Sequence, residues 1–219
     1  MIYNTDSAAK VAESLLQIKA IKLNNTKPFT WASGLKSPIY CDNRIALSYP
    51  KIRTYIRQQI VEAIEDKFGD VDVIAGVATA GIPQAALVAA AMGLPLVYIR
   101  SSEKKHGMTN KIEGVINEGQ SVVVIEDLIS TGKSSLNAVD ALRDAGAKVK
   151  GMVAIFTYGL QKATDNFANA NCKLVTISDY ENLVKLATES NYISNKDLAS
   201  LMEWRKDPQA WSDGKSSKL

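Results

Sequence analysis

Two adjacent acids, Glu126 and Asp127, close an apolar run, and Gly132-Lys133-Ser134 follows shortly after, in the stretch VVVIEDLISTGKSS. The GKS triplet invites a triphosphate-binding loop. That loop follows GxxxxGK[ST], which puts its first glycine at 127, and Asp stands there. A side chain at that point blocks close approach of the backbone to a triphosphate, and its charge repels one. A different chemistry fits. Backbone N–H groups at a helix start, with the hydroxyls of Ser130, Thr131 and Ser134, make a cup for one monophosphate. Carboxylates accept hydrogen bonds and a ribose offers vicinal hydroxyl donors. Acids and cup together read as a clamp for ribose 5-phosphate.

The surrounding pattern supplies a frame for such a clamp. VDVIAGV (71–77), LPLVYI (94–99), SVVVI (121–125), VKGMVAIF (149–156) and KLVTI (173–177) are short, apolar and rich in β-branched residues. Helical segments near 82–92, 132–145, 160–170 and 179–188 alternate with them, which predicts an α/β fold with a mostly parallel sheet covered on both faces. Ligands of such sheets sit at the carboxyl ends of the strands, so the loops after Val77, Ile99 and Ile125 are expected to converge. Upstream, Val11, Leu15, Leu16 and Ile18 predict a helix over 8–20 with a cap among Thr5 to Ser7. Ile52, Ile56, Ile60 and Ile64 predict another, starting at Ser48 or Tyr49-Pro50 and ending before Gly69. Between them, Phe29, Trp31, Ile39 and Tyr40 mark short strands broken by Gly34 and Pro38. A last helix near 194–205 and Trp211 are expected to pack back on the body, with Ser212 to Leu219 as a frayed polar tail.

GVATAGIP (76–83) is a small-residue turn that lets backbone approach a ligand. RSSEKKHGMTNK (100–111) carries four cations and one acid, an excess equal to the +3 of the whole chain. Beside a diphosphate, a cationic lid of this kind neutralises the leaving group and excludes water; alone it is a solvated surface loop. The single histidine, His106, lies in it. The weak net charge carries no global field for nucleic acid, and no apolar run is long enough for a membrane span. The two cysteines, Cys41 and Cys172, lack metal-site spacing and fit buried thiols in a reducing cytoplasm. No signal peptide is read at the N-terminus.

The two acids after an apolar strand, followed by a Thr-Gly turn into a helix, resemble the signature of type I phosphoribosyltransferases. FTWASGLKSPIYCDNR (29–44), the lid RSSEKKHG and the segment from Glu181 to Trp211 extend the resemblance to orotate phosphoribosyltransferases over nearly the whole chain. The resemblance implies one domain over 1–219, with an N-terminal hood mainly from 1–48, a core of about 49–190 and a C-terminal helical segment over 191–211. It implies transfer of ribose 5-phosphate from phosphoribosyl pyrophosphate to N1 of orotate, in pyrimidine synthesis. Magnesium would ride on the pyrophosphate rather than on protein side chains, and a cytoplasmic homodimer would share the lid between subunits. Glu126 and Asp127 would hold the ribose hydroxyls and stabilise positive charge at C1′, and Leu128, Ile129, Ser130, Thr131, Gly132, Lys133 and Ser134 would hold the 5-phosphate. Arg100, Lys104 and His106 would close on the pyrophosphate, with Lys104 and Asp127 the catalytic pair. Ser130 and Arg44 would meet orotate.

The chain departs from one branch of that family. Ala32, Thr79-Ala80, Ser101 and Tyr158 stand where that branch has lysine, Tyr-Lys, a second lid lysine and arginine, so those contacts are not carried over. Two alternatives stay open: a phosphoribosyltransferase for another base, and a non-catalytic regulator that senses phosphoribosyl pyrophosphate.

Overall fold

The computed structural model describes residues 1–31, 33–101 and 111–216. Its centre is a sheet of β5 (Val73–Val77), β6 (Leu96–Ile99), β7 (Ile112–Glu113), β8 (Ser121–Ile129), β9 (Lys148–Thr157) and β10 (Leu174–Asp179), in the order β10-β9-β8-β5-β6-β7. All pairings are parallel except β6 with β7. The apolar runs have no polar alternation because both faces are covered. Val123 and Ile125 of β8 join one buried cluster, while Val122 and Val124 join another on the opposite face, the period-two geometry of a strand between two layers. From β5 the chain goes to β6 on one side and returns to β8 on the other. The crevice at their carboxyl ends is therefore the topological switch point, where such sheets bind ligands.

Helices α1 (Thr5–Gln17) and α2 (Pro50–Phe68) form as the apolar spacing requires, with shifted ends. The α1 helix begins three residues before the expected 8, because the Asn4 side chain accepts from the N–H groups of Asp6 and Ser7. Its C-terminus falls at Gln17, and Lys19 beyond it has a left-handed φ of 58°. Pro50 opens α2, Gly69 (φ 64°) closes it, and Ile56, Ile60 and Ile64 are fully buried. The sheet is further covered by α3 (Gly81–Met92), α4 (Lys133–Asp144), α5 (Gln161–Asn169) and α6 (Tyr180–Glu189).

Residues 21–41 form two small antiparallel pairs, β1 (Ile21–Leu23) with β4 (Ile39–Cys41) and β2 (Phe29–Thr30) with β3 (Lys36–Ser37), and a 3-10 turn follows at Asn43–Ser48. Aromatic rings fasten this hood to the body. Trp31 stacks on Tyr158 with ring centroids 5.1 Å apart, and Trp204 of α7 (Asn195–Lys206) meets both edge-on at 5.6 Å. The frayed tail is a correction: residues 208–216 form a further helix, α8 (Pro208–Ser216). It docks through long-range contacts that a polar composition hides. The Ser212 hydroxyl accepts from the Lys36 N–H at 2.9 Å, and the Trp211 indole N–H donates to the Ser200 hydroxyl at 3.0 Å. Residues 217–219 lie outside the described residues.

Candidate active site

Strand β8 does not stop at Ile125, as the appearance of charge predicts. Its parallel pairing with β9 continues through Glu126↔Ala154, Leu128↔Phe156 and Ile129↔Thr157, whereas its pairing with β5 ends at Gly76↔Ile125. The acids therefore stand on a strand that projects past its neighbour, at the switch point. Glu126 is buried and accepts from the Ser135 hydroxyl at 2.8 Å and from the Asp127 N–H at 3.0 Å. Asp127 is half-buried, and its carbonyl accepts from the Asn43 side-chain amide at 2.7 Å. The helix α3 begins directly beside this strand. A Cβ at Gly81 would lie 2.6 Å from the Ile125 carbonyl oxygen, so only glycine permits that approach.

Burial, reinforced by the neighbouring Asp127 charge, pushes the Glu126 carboxyl up from 4.5 to about 8. Burial also raises Asp127, against the opposing pull of hydrogen bonds and the Arg44 charge. Two crowded carboxylates hold protons more tightly than water-exposed ones do. The folded state consequently binds more protons than the unfolded chain between about pH 4.5 and pH 8. Stability from this source is full below that window and is lost as pH rises through it. We expect urea unfolding of the unliganded protein to show stability falling from pH 5 to pH 8 in the wild type, with a flatter profile in Glu126→Gln. At pH 8 the variant should be the more stable by about 1–3 kcal/mol, because it no longer buries a charge beside that of Asp127. Parallel pH profiles for the two proteins would exclude Glu126 as the source.

After Ile129 the chain turns through Ser130, Thr131 and Gly132 into α4. Gly132 is left-handed (φ 76°), and a Cβ there would lie 2.5 Å from a Phe167 ring carbon. Leu128 and Ile129, read from sequence as part of the turn, are the last residues of the strand. The backbone of the turn is held from behind. The Ile129 carbonyl accepts from Tyr158 N–H and the Thr157 hydroxyl, and the Thr131 carbonyl accepts from the Asn166 amide at 2.8 Å. No side chain caps α4, so the N–H groups of its first turn carry the positive end of the helix dipole without an internal acceptor from a cap. That is the chemistry of an anion site. Lys133 and Ser134 are exposed at its mouth, while Ser135 turns inward to Glu126.

The three expected loops do converge. A cleft of about 80 Å³ is lined by Val77 at the end of β5 and Ala78 after it, by Arg100 and Ser101 after β6, and by Ser134 and Asn137 of α4. The described residues on either side of 102–110 lie next to each other: Arg100 N–H donates to the Lys111 carbonyl at 2.9 Å, and β6 pairs antiparallel with β7. Arg100 also lies 3.5 Å from Glu113. Lys104 and His106 lie outside the described residues. Arg44 stands 61% exposed, its guanidinium closed bidentately on Asp42 at 2.7 and 2.8 Å. Ser130 and Thr131 also line a larger cavity of about 590 Å³ between the hood and the start of α8. Sequence reading did not single out Ser135 or Asn43, which position the acids; their only signals were the doubled serine after Lys133 and the amide in CDNR. Among the described residues, no cluster of three or more His, Cys, Asp or Glu side chains forms a metal site, and no helix is long and apolar enough to cross a membrane.

A parallel sheet whose switch point carries an acid pair and then an uncapped helix start defines a phosphoribosyl-binding protein, and residues 47–187 match the phosphoribosyl transferase domain. The chain is 55% identical to the orotate phosphoribosyltransferase of Listeria innocua over 92% of its own length and 97% of that protein's. It therefore belongs to the orotate phosphoribosyltransferase family. The crystal structure of orotate phosphoribosyltransferase from Aeropyrum pernix superposes with a TM-score of 0.73 at 26% identity, covering 84% of this chain and 99% of that one. The Mycobacterium tuberculosis enzyme in complex with 5-phospho-alpha-D-ribosyl 1-diphosphate superposes with a TM-score of 0.62 at 25% identity, over 81% and 98%.

Proposed function

We propose that the chain transfers ribose 5-phosphate from phosphoribosyl pyrophosphate to N1 of orotate, giving orotidine 5′-monophosphate and pyrophosphate for pyrimidine synthesis. The observation that carries this is the acid pair, buried Glu126 and half-buried Asp127, on the projecting end of β8, shortly before the uncapped start of α4. In this reading the 5-phosphate lies against Ser130 to Ser134, and the ribose hydroxyls donate to the two carboxylates. Hydroxyl donors favour the ionised acids, so binding of the sugar releases the protons that burial retains. The bond from C1′ to the diphosphate oxygen breaks, and its electron pair leaves with the diphosphate. N1 of orotate, as the anion, forms the new bond to C1′. The carboxylate of Asp127 offsets the positive charge that develops on the ribose in between.

Arg100 borders the cleft of Val77, Ala78 and Ser134, where the diphosphate is proposed to lie. Lys104 and His106 of the connecting segment are proposed to close on it. Magnesium, a hard cation for oxygen ligands, would be carried by the diphosphate and would screen its charge. We also propose a cytoplasmic homodimer that shares the segment 100–111 across subunits. The two unpaired thiols, Cys41 and Cys172, accord with a reducing compartment.

Pyrophosphate release measured with orotate, uracil, hypoxanthine and adenine in parallel tests the assignment. Orotate should exceed the others by at least about a hundredfold in kcat/KM, the discrimination expected when buried polar groups are left unpaired by the wrong base. Release with a purine but not with orotate would overturn the specificity. Binding of phosphoribosyl pyrophosphate without turnover of any base would favour the regulator.

A further inference from the structure

The larger cavity beside the phosphate cup has a defined chemistry. Its volume of about 590 Å³ lies between the hood and the C-terminal helices, within the usual range for small-molecule sites. Ser130 and Thr131 form the part of its wall that belongs to the cup, while Trp31, Leu35 and Leu160 supply apolar surface. Arg205, Lys162 and Lys206 bring three cations to its lining, against the one acid Asp207. An apolar lining that includes one indole ring, with an excess of positive charge, suits an anionic heterocycle.

Arg205 is the cation that the fold holds in place. Its side chain is 27% exposed, and Nη1 lies 3.3 Å from the Glu181 carboxylate. Its Nε–H donates to the Gly159 carbonyl at a long 3.5 Å. Gly159 has φ 64°, and a Cβ there would stand 3.1 Å from Nη2 of Arg205. The turn after β9 thus leaves open the space in which the guanidinium lies. Tyr158, the residue before, is buried and covered by the Trp31 ring. Arg44 closes Nε and Nη2 on the one carboxylate of Asp42 at 2.7 and 2.8 Å, whereas the contacts of Arg205 through Nε and Nη1 go to two different groups and are longer, 3.5 and 3.3 Å.

Resting on the function proposed above, with the orotate ring in this cavity, we propose that Arg205 is a specificity-determining residue, its guanidinium pairing with the orotate carboxylate. That carboxylate sits on the ring carbon next to N1. A cation that grips it therefore also aims N1, and it distinguishes orotate from uracil, which lacks the group. A guanidinium suits this task because it meets a carboxylate with two parallel N–H bonds.

Calorimetric binding of orotidine 5′-monophosphate and of ribose 5-phosphate to the intact protein separates base from sugar phosphate. Arg205→Gln should weaken orotidine 5′-monophosphate binding on the order of a hundredfold, the worth of hydrogen bonds to a charged group. Ribose 5-phosphate binding should stay unchanged, which also shows that the variant is folded. Arg205→Lys, which keeps the charge and loses the fork, should fall between, and serves if the glutamine variant does not fold. Unchanged binding of both ligands, or equal weakening of both, would overturn the assignment of Arg205. Failure of the wild type to prefer orotidine 5′-monophosphate over ribose 5-phosphate would instead overturn the orotate reading itself.

Discussion

Trp204→Ala is expected to lower the free energy of unfolding by about 3–5 kcal/mol, the range for deleting a large aromatic ring from a packed core. Trp204 is fully buried. It contacts Trp31 of the hood edge-on, Tyr158 at the end of β9, and Tyr180 of α6 with ring centroids 5.4 Å apart. One side chain thus joins the N-terminal strands, the sheet and the C-terminal helices. Tyr180 adds a buried hydrogen bond, its hydroxyl donating to the Leu201 carbonyl at 2.9 Å in the turn of α7 before Trp204. Removing the indole leaves a cavity that none of these elements can close alone. Equilibrium denaturation reads the loss directly, and Trp204→Phe should recover part of it. A loss below about 1 kcal/mol, the level of an ordinary substitution, would mean that the hood is held by other contacts. The orotate KM of the alanine variant should also rise, because Trp31 loses its edge contact while it walls the proposed base cavity.

The strands around the site were legible because burial on both faces forces uninterrupted apolar runs. The helices between them were legible because Gly and Pro punctuate their ends. The acid pair could be recognised by residue type, since Asp127 stands where a triphosphate loop needs glycine. Its setting could not. Charge at 126 reads as the end of a strand, yet pairing with β9 carries β8 on to Ile129. Parallel pairing is a contact between distant residues, and a carboxyl-terminal strand end tolerates acids when a serine hydroxyl and backbone N–H groups satisfy them. The tail misled for a similar reason. Ser212 looks like solvated chain, but its hydroxyl caps a backbone N–H 176 residues away. Arg44 looked available because sequence does not show that Asp42 folds back on it across a tight turn. Arg205, embedded in EWRKDP, has no local signal at all; only the packing of α7 against the turn at Gly159 brings it to the cup.

Asp127→Asn is expected to cut kcat by about a hundredfold to a thousandfold, the effect of removing one preorganised electrostatic contact to a developing charge. The substitution keeps shape and hydrogen-bonding reach while deleting the negative charge proposed to face C1′. It should have the opposite sign on stability. Burial raises the Asp127 carboxyl, and its charge is one of the causes that raise Glu126. The variant therefore relieves both repulsion and desolvation in the empty site, and above about pH 8, where Glu126 is ionised, it should unfold at higher denaturant than the wild type. Lys104→Ala tests the other half of the proposed chemistry and should lose rate by about a hundredfold with no gain in stability, because the proposed role of Lys104 is confined to the bound diphosphate. The two variants are thus separated by the unliganded fold as well as by turnover. An Asp127→Asn enzyme with near-normal kcat would remove the acid pair from the reaction. An inactive variant without added stability would mean that the carboxylates are already compensated in the empty protein. If the acids serve donors and a passing positive charge as proposed, the empty site carries their mutual repulsion and burial, and the stability measurement reads that cost.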